Sequence, residues 1–158
     1  SLGDYGVKLK GCFSLWWMYF LMLAVMVPIV FVASRCEGFK ATYPFFQPFP
    51  NEPLWPRFWI WEGAYYLQFV GLEFFFRGFL LHGIRRQFGA YAIFVMMVPY
   101  CMIHFGKPIP ETFAAIAAGI ILGFMSLKTR SIWMGAALHV TVALTMDICA
   151  LWRAGKFF

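Results

Sequence analysis

The sequence predicts an all-α fold, a polytopic bundle of about five transmembrane helices forming a single domain over residues 1–158. Three observations carry this reading. The chain is 62% hydrophobic and 13% charged, against about 45–50% and about 25% in soluble globular domains. Its mean hydropathy is +0.71, so water is not the solvent for most of its faces. In a bilayer the backbone must satisfy its own hydrogen bonds, which leaves helices or a closed barrel. The apolar residues come in long unbroken runs rather than in alternation, and that selects helices.

The elements follow in order. Ser1–Lys10 is polar and reads as an interfacial lead-in. Cys12–Ala33 carries no charge, and its 22 residues reach about 33 Å as a helix, enough for a hydrocarbon core of about 30 Å. It is too long for the apolar core of a signal peptide. Pro28 should kink it. Ser34–Pro56 holds Pro44, Pro48, Pro50, Pro53 and Pro56, so a loop or interfacial hairpin is expected, with Phe45, Phe46, Phe49 and Trp55 at headgroup depth. Arg57–Arg86 reads as one long helix. Gly89–Phe105 reads as a shorter one, stopped by Gly106, Pro108 and Pro110. Glu111–Leu127 is a fourth, in which Ala114, Ala115, Ala118, Gly119 and Gly123 permit close helix approach. Lys128–Arg130 is a tight turn, and Ser131–Trp152 is the fifth helix.

The net charge of +6 suits contact with anionic headgroups. The basic residues are scattered, and no stripe of them suggests nucleic acid. Counted by side, they tie. The shortest turns, which hold Arg85, Arg86, Lys128 and Arg130, favour the N-terminus inside. Cys12, Cys36, Cys101 and Cys149 form no CxxC pair, which gives no support to a zinc ribbon or redox motif.

Ionisable groups within the apolar runs need a reason, since each costs about 2.5–3.5 kcal/mol at the bilayer centre on insertion scales. Glu73 and Arg77 are four apart and share a helix face, so they can pair. Such a pair either ties two helices together or builds a site. His104 and His139 lie on separate helices, and two imidazoles suggest a transition metal. Asp147, eight residues after His139, is a candidate third ligand or supporting partner. The plainer reading is an Asp near the helix end, in water or beside a cation. Glu62 and His82 read as interfacial.

Gly71-Leu72-Glu73-Phe74-Phe75-Phe76-Arg77-Gly78, Tyr100-Cys101-Met102-Ile103-His104 and the helix bearing His139 resemble, in order and spacing, the CPBP family of intramembrane metalloproteases, also called the Abi or CAAX-protease family. The resemblance covers roughly residues 62–147. That family has a Glu-Glu-x-x-x-Arg motif, an aromatic-x-x-x-His motif and a later His-x-x-x-Asn-like motif. Glu73 matches the second Glu and Arg77 the Arg. His104 matches the second motif's His, with Tyr100 in the aromatic place, and His139 matches the third. Leu72 stands where the first Glu, assigned to activating water, would be, and Ala143 stands where the Asn would be.

The resemblance implies hydrolysis of a peptide bond in a membrane-associated protein or peptide. His104 and His139 would hold a divalent metal, zinc by default, and Glu73 would act as base or orient the site through Arg77. It also implies further helices beyond the five, and residence in a prokaryotic inner (plasma) membrane. Two other readings stand beside it. The chain could be a catalytically inactive scaffold or accessory subunit of a larger membrane complex, as Leu72 and Ala143 permit. Alternatively, His104 and His139 could be the axial ligands of a haem.

Overall fold

The structure is a computed structural model that describes residues 1–47 and 53–156. Pro48, Phe49 and Pro50 of the expected loop lie outside the described residues. Helices α1 (Trp16–Ala33), α2 (Glu37–Thr42), α3 (Arg57–Glu73), α4 (Leu81–Phe88), α5 (Ala92–Met102), α6 (Ile109–Thr129) and α7 (Trp133–Arg153) build the fold, with no strand among the described residues. A 3-10 turn at Cys12–Leu15 leads into α1, so the first run is helical from Cys12 to Ala33 as expected. Four stretches are long and apolar enough to cross a membrane: Cys12–Ala33, Arg57–Met102, Ile109–Thr129 and Trp133–Arg153. The second is divided by Gly89, at φ 56°, which turns the chain between α4 and α5.

Three expectations need correction. The first concerns the loop after α1, which is partly helical. Its prolines begin only at Pro44, and α2 fits in the stretch before them. Phe46 is buried against Phe58. The second is the single helix expected over Arg57–Arg86, which contains a π-helical stretch, Phe74–Leu80, between α3 and α4. The third is Pro110, which does not stop a helix. It sits in the first turn of α6, where its missing N–H has no partner to lose.

The bundle places its charge inside and its apolar bulk outside. Glu62, Glu73, Arg77 and Asp147 are fully buried, whereas Trp16, Trp17, Phe20, Leu21, Ile60, Leu67, Phe94 and Phe113 are exposed. Lipid is the medium that makes such a surface stable, and the protein is an integral membrane protein. The small residues do as their pattern predicts. A Cβ on Gly119 would stand 2.8 Å from Met97 Cγ, and one on Gly123 3.0 Å from Met96 Cε, so α5 and α6 approach closely.

Each end of the bundle is tied. At one end the Ile132 N–H donates to the Gly6 carbonyl (3.1 Å), and Tyr5 stacks on Phe79 at 5.8 Å. The N-terminal stretch, α4 and the α6–α7 turn therefore meet there. At the other end Tyr43 donates its hydroxyl to Glu111 (2.8 and 2.9 Å). The Phe45 N–H donates to Asp147 (3.0 Å).

Candidate functional site

Three separate helical stretches bring their polar groups together inside the bundle. Glu73 closes α3, and one turn later Arg77 lies in the π-helical stretch, so both point to one side. Arg77 Nη1 stands 2.9 Å from Glu73 Oε1. The same oxygen is 2.8 Å from His139 Nδ1 on α7. The other ring nitrogen, Nε2, is 2.8 Å from the Tyr100 hydroxyl on α5. The Arg77 guanidinium lies over the Tyr100 ring, 3.7 Å from its centroid. The result is a continuous chain from Arg77 through Glu73 and His139 to Tyr100. Charge at this depth is tolerable because each member faces a partner.

The positions of the ring protons follow from the partners. A carboxylate only accepts, so His139 Nδ1 carries a proton facing Glu73. Nε2 is then the basic atom, and Tyr100 donates to it. His104 Nδ1 faces the Tyr100 carbonyl at 2.9 Å, which also only accepts, so Nδ1–H donates and Nε2 carries the lone pair. His104 lies beyond the end of α5. Burial, with the Lys107 cation adding to it, lowers the His104 pKa against the opposing pull of its Tyr100 hydrogen bond. The ring is therefore neutral at ordinary pH.

Two neighbours hold this arrangement in shape. A Cβ on Gly135 would stand 2.6 Å from Glu73 Oε2, so only glycine lets α7 carry His139 up to the carboxylate. Phe69, one turn before Glu73, stacks on the His139 ring at 5.6 Å and 10°. It continues an aromatic row with Tyr65 and Trp61 along the same face of α3.

Of the residues singled out in the sequence, Glu73, Arg77, His104 and His139 meet around Tyr100. Asp147 does not join them. It lies two turns further along α7, about 12 Å by helical rise, where its carboxyl accepts from the Phe45 N–H and lies beside the equally buried Glu62. Neither reading made for it in the sequence, an exposed residue near the helix end or a cation partner, describes it. Glu62, expected at headgroup level, is fully buried beside it. Sequence reasoning passed over the Tyr100 hydroxyl, although a phenol within the apolar α5, four residues before His104, was a signal. Nothing in the sequence marked Gly135 beyond its place one helical turn before His139.

The donor set fits the expected zinc poorly. His139 has Glu73 on one nitrogen and Tyr100 on the other, and His104 keeps one free nitrogen. Among the described residues no three His, Cys, Asp or Glu side chains stand together as a metal site.

An all-helical membrane bundle with a buried Glu–Arg–His core defines a narrow class of protein. Residues 53–145, more than half of the chain, match the family described as type II CAAX prenyl endopeptidase Rce1-like, and the chain belongs to it. The matched region contains Glu73, Arg77, Tyr100, His104 and His139 and stops short of Asp147. No curated protein and no solved structure matches the chain.

Proposed function

We propose that the protein is an intramembrane endopeptidase that hydrolyses a peptide bond in a membrane-associated protein or peptide, in a prokaryotic plasma membrane. The observation that carries this is the chain Arg77–Glu73–His139–Tyr100, assembled from three helical stretches of a family of CAAX prenyl endopeptidases. Peptide hydrolysis needs a base for water, a donor for the carbonyl oxygen and an acid for the leaving amine. His139 is the base. Glu73 holds its Nδ1–H and balances the imidazolium that forms when Nε2 takes the proton of water. Arg77 holds Glu73 in place. The Tyr100 hydroxyl turns from Nε2 to the carbonyl oxygen when substrate binds, which makes it the donor to that oxygen and leaves the Nε2 lone pair free for water. The proton that His139 Nε2 takes from water passes to the leaving amine, relayed through the free Nε2 of His104, so both rings end as they began. The base role, lost from position 72 with Leu72, thus falls to the Glu73–His139 pair.

A second reading has its own support. Leu72 packs against the apolar cluster around Phe76 and Tyr100, and Ala143 is buried with no polar group to offer. A scaffold or accessory subunit of a membrane complex would tolerate both. The two readings part on one experiment, in which the protein is reconstituted in proteoliposomes with fluorogenic membrane-anchored peptides, prenylated and unprenylated. The protease reading expects cleavage by the wild type that His139→Ala and Glu73→Gln abolish. It also expects Leu72→Glu/Ala143→Asn to retain or raise turnover. A wild type that cleaves nothing, with a double variant that does, would establish the scaffold reading. Metal content and the effect of a chelator, measured on the same preparation, decide the zinc expectation. From the engaged nitrogens of His139, turnover within about twofold of the untreated enzyme is expected. Loss on chelation with recovery on adding zinc would reinstate the metal.

A further inference from the structure

Away from the site, at the end of the bundle where the N-terminal stretch meets α4 and the α6–α7 turn, lies a recess of about 690 Å³. Arg85, Arg86 and Arg130 line it together with His82, Tyr5 and Asp4. Three guanidinium groups face one carboxylate there. All three arginines are exposed, and none has an acidic partner among the described ion pairs. Exposed arginines normally find a carboxylate or spread apart, and here they converge on one concavity.

A second observation points the same way. Arg130 caps α6 with φ 56°, the only non-glycine residue with positive φ among the described residues. Gly is the usual occupant of that position because it has no Cβ to strain. The chain keeps a long cation there instead, at the rim of the recess. The walls are fixed rather than loose. Tyr5 stacks on Phe79 and the Ile132 N–H is held by the Gly6 carbonyl. A Cβ on Gly78 would stand 2.6 Å from the Tyr5 carbonyl, so the N-terminal turn sits directly on the π-helical stretch that leads into α4, the helix of Arg85 and Arg86. His82 donates or accepts at Ser126 Oγ through Nε2 (3.3 Å), while its Nδ1 has no partner.

We propose that this recess binds a phosphate group at the membrane surface. Guanidinium forks match phosphate oxygens two at a time. The recess ends a bundle whose sides are in lipid, so the phosphate nearest to hand is the headgroup of an anionic phospholipid. Free phosphate offers the same chemistry. Lys8, Lys10 and Lys128 lie on the same end of the bundle outside the recess, and supply the general field that concentrates such headgroups.

The test uses the full chain purified in detergent, with lipid binding read by native mass spectrometry. Phosphatidylglycerol should be retained in preference to phosphatidylcholine. Replacing Arg85, Arg86 and Arg130 by Gln should weaken phosphatidylglycerol binding roughly fivefold per arginine, about a hundredfold for the three. A second variant, Lys8→Gln, Lys10→Gln and Lys128→Gln, removes the same charge from the same end and should cost only a few-fold. All six positions carry their charged groups at the surface, and elution as a single detergent-solubilised species confirms that each variant folds. Inorganic phosphate, titrated alone, separates the two sources. Binding weaker than the lipid's makes the headgroup the ligand, and binding as tight as the lipid's makes it free phosphate. Equal loss in the two triple variants, or no preference for the anionic lipid, would overturn the proposal.

Discussion

At the scale of single residues, Tyr100 is the most informative position. Its ring lies under Arg77 and edge-on to Phe76 at 5.4 Å, and its hydroxyl reaches His139. Tyr100→Phe removes only the last of these contacts. Stability should fall by about 1 kcal/mol, the net worth of one hydrogen bond. Turnover should fall about tenfold or more with KM nearly unchanged, since the hydroxyl acts on the transition state and not on binding. A kcat that stays at the wild-type value would remove Tyr100 from the mechanism. Glu73→Gln should behave differently. It leaves Arg77 buried and uncompensated, which costs about 3–5 kcal/mol when one partner of such a pair is lost. It also frees His139 to rotate, so turnover should drop about 10²–10⁴-fold. Unfolding in denaturing detergent and initial rates separate the two effects. The charged members of this site were legible in the sequence because an ionisable group in an apolar run is conspicuous. Tyr100 was less so, since a phenol is unremarkable among aromatics. The partnership of Glu62 with Asp147 was hidden for another reason: it joins residues 85 positions apart, a separation that only the packing of α3 on α7 closes.

At the scale of elements, the approach of α7 to α3 decides whether the site exists. Gly135→Ala would bring a methyl carbon to 2.6 Å from Glu73 Oε2, closer than packed atoms allow. Either the carboxylate turns away from His139 or the helices part, and overpacking of this kind costs about 1–3 kcal/mol. Gly63→Ala is the matching control in α3, where nothing lies within 4 Å. A methyl group there should leave activity unchanged and add up to about 1 kcal/mol of helix stability. Equal activity in the two variants would show that the close approach at Gly135 is immaterial. The same pair of helices brings the buried Glu62 and Asp147 side by side, and two carboxyl groups so placed can pair only by sharing a proton. An amide donates without one, so Glu62→Gln should unfold no more easily than the wild type, whereas Glu62→Ala should lose about 1–3 kcal/mol by leaving Asp147 short of a partner. The helices themselves followed from the length of the apolar runs. The π-helical stretch at Phe74–Leu80 did not, because its extra residue per turn leaves the run of apolar side chains unbroken. Insertions of this kind recur at functional sites, and here Arg77 is carried within one.

At the scale of the whole molecule, the four stretches long and apolar enough to cross a membrane leave the two ends of the bundle distinct. Their direction decides which side the site serves. Arg85, Arg86, Lys128 and Arg130 sit at one end, in the shortest turns, and short basic turns stay in the cytoplasm. His104 stands at the other end, past the close of α5 and beside the Lys107–Glu111 pair (2.7 Å), on the same side as Cys36 between α1 and α2. The basic turns therefore predict that the site opens toward the outer half of the membrane and draws substrate from there. Cys36 is an exposed thiol, whereas Cys12 and Cys149 are buried and Cys101 is half-buried, so in a Cys101→Ser background a membrane-impermeant maleimide reads the sidedness directly. Intact cells should label that variant at Cys36. Arg85→Cys, with Cys36→Ser added to the same background, should label only in inverted vesicles. The opposite pattern would place His104 on the cytoplasmic side, where the C-terminus of a cytoplasmic lipid-anchored protein could reach it, and the arginine recess on the outer leaflet. Because one rigid bundle carries both features, a single labelling result assigns the leaflet of each.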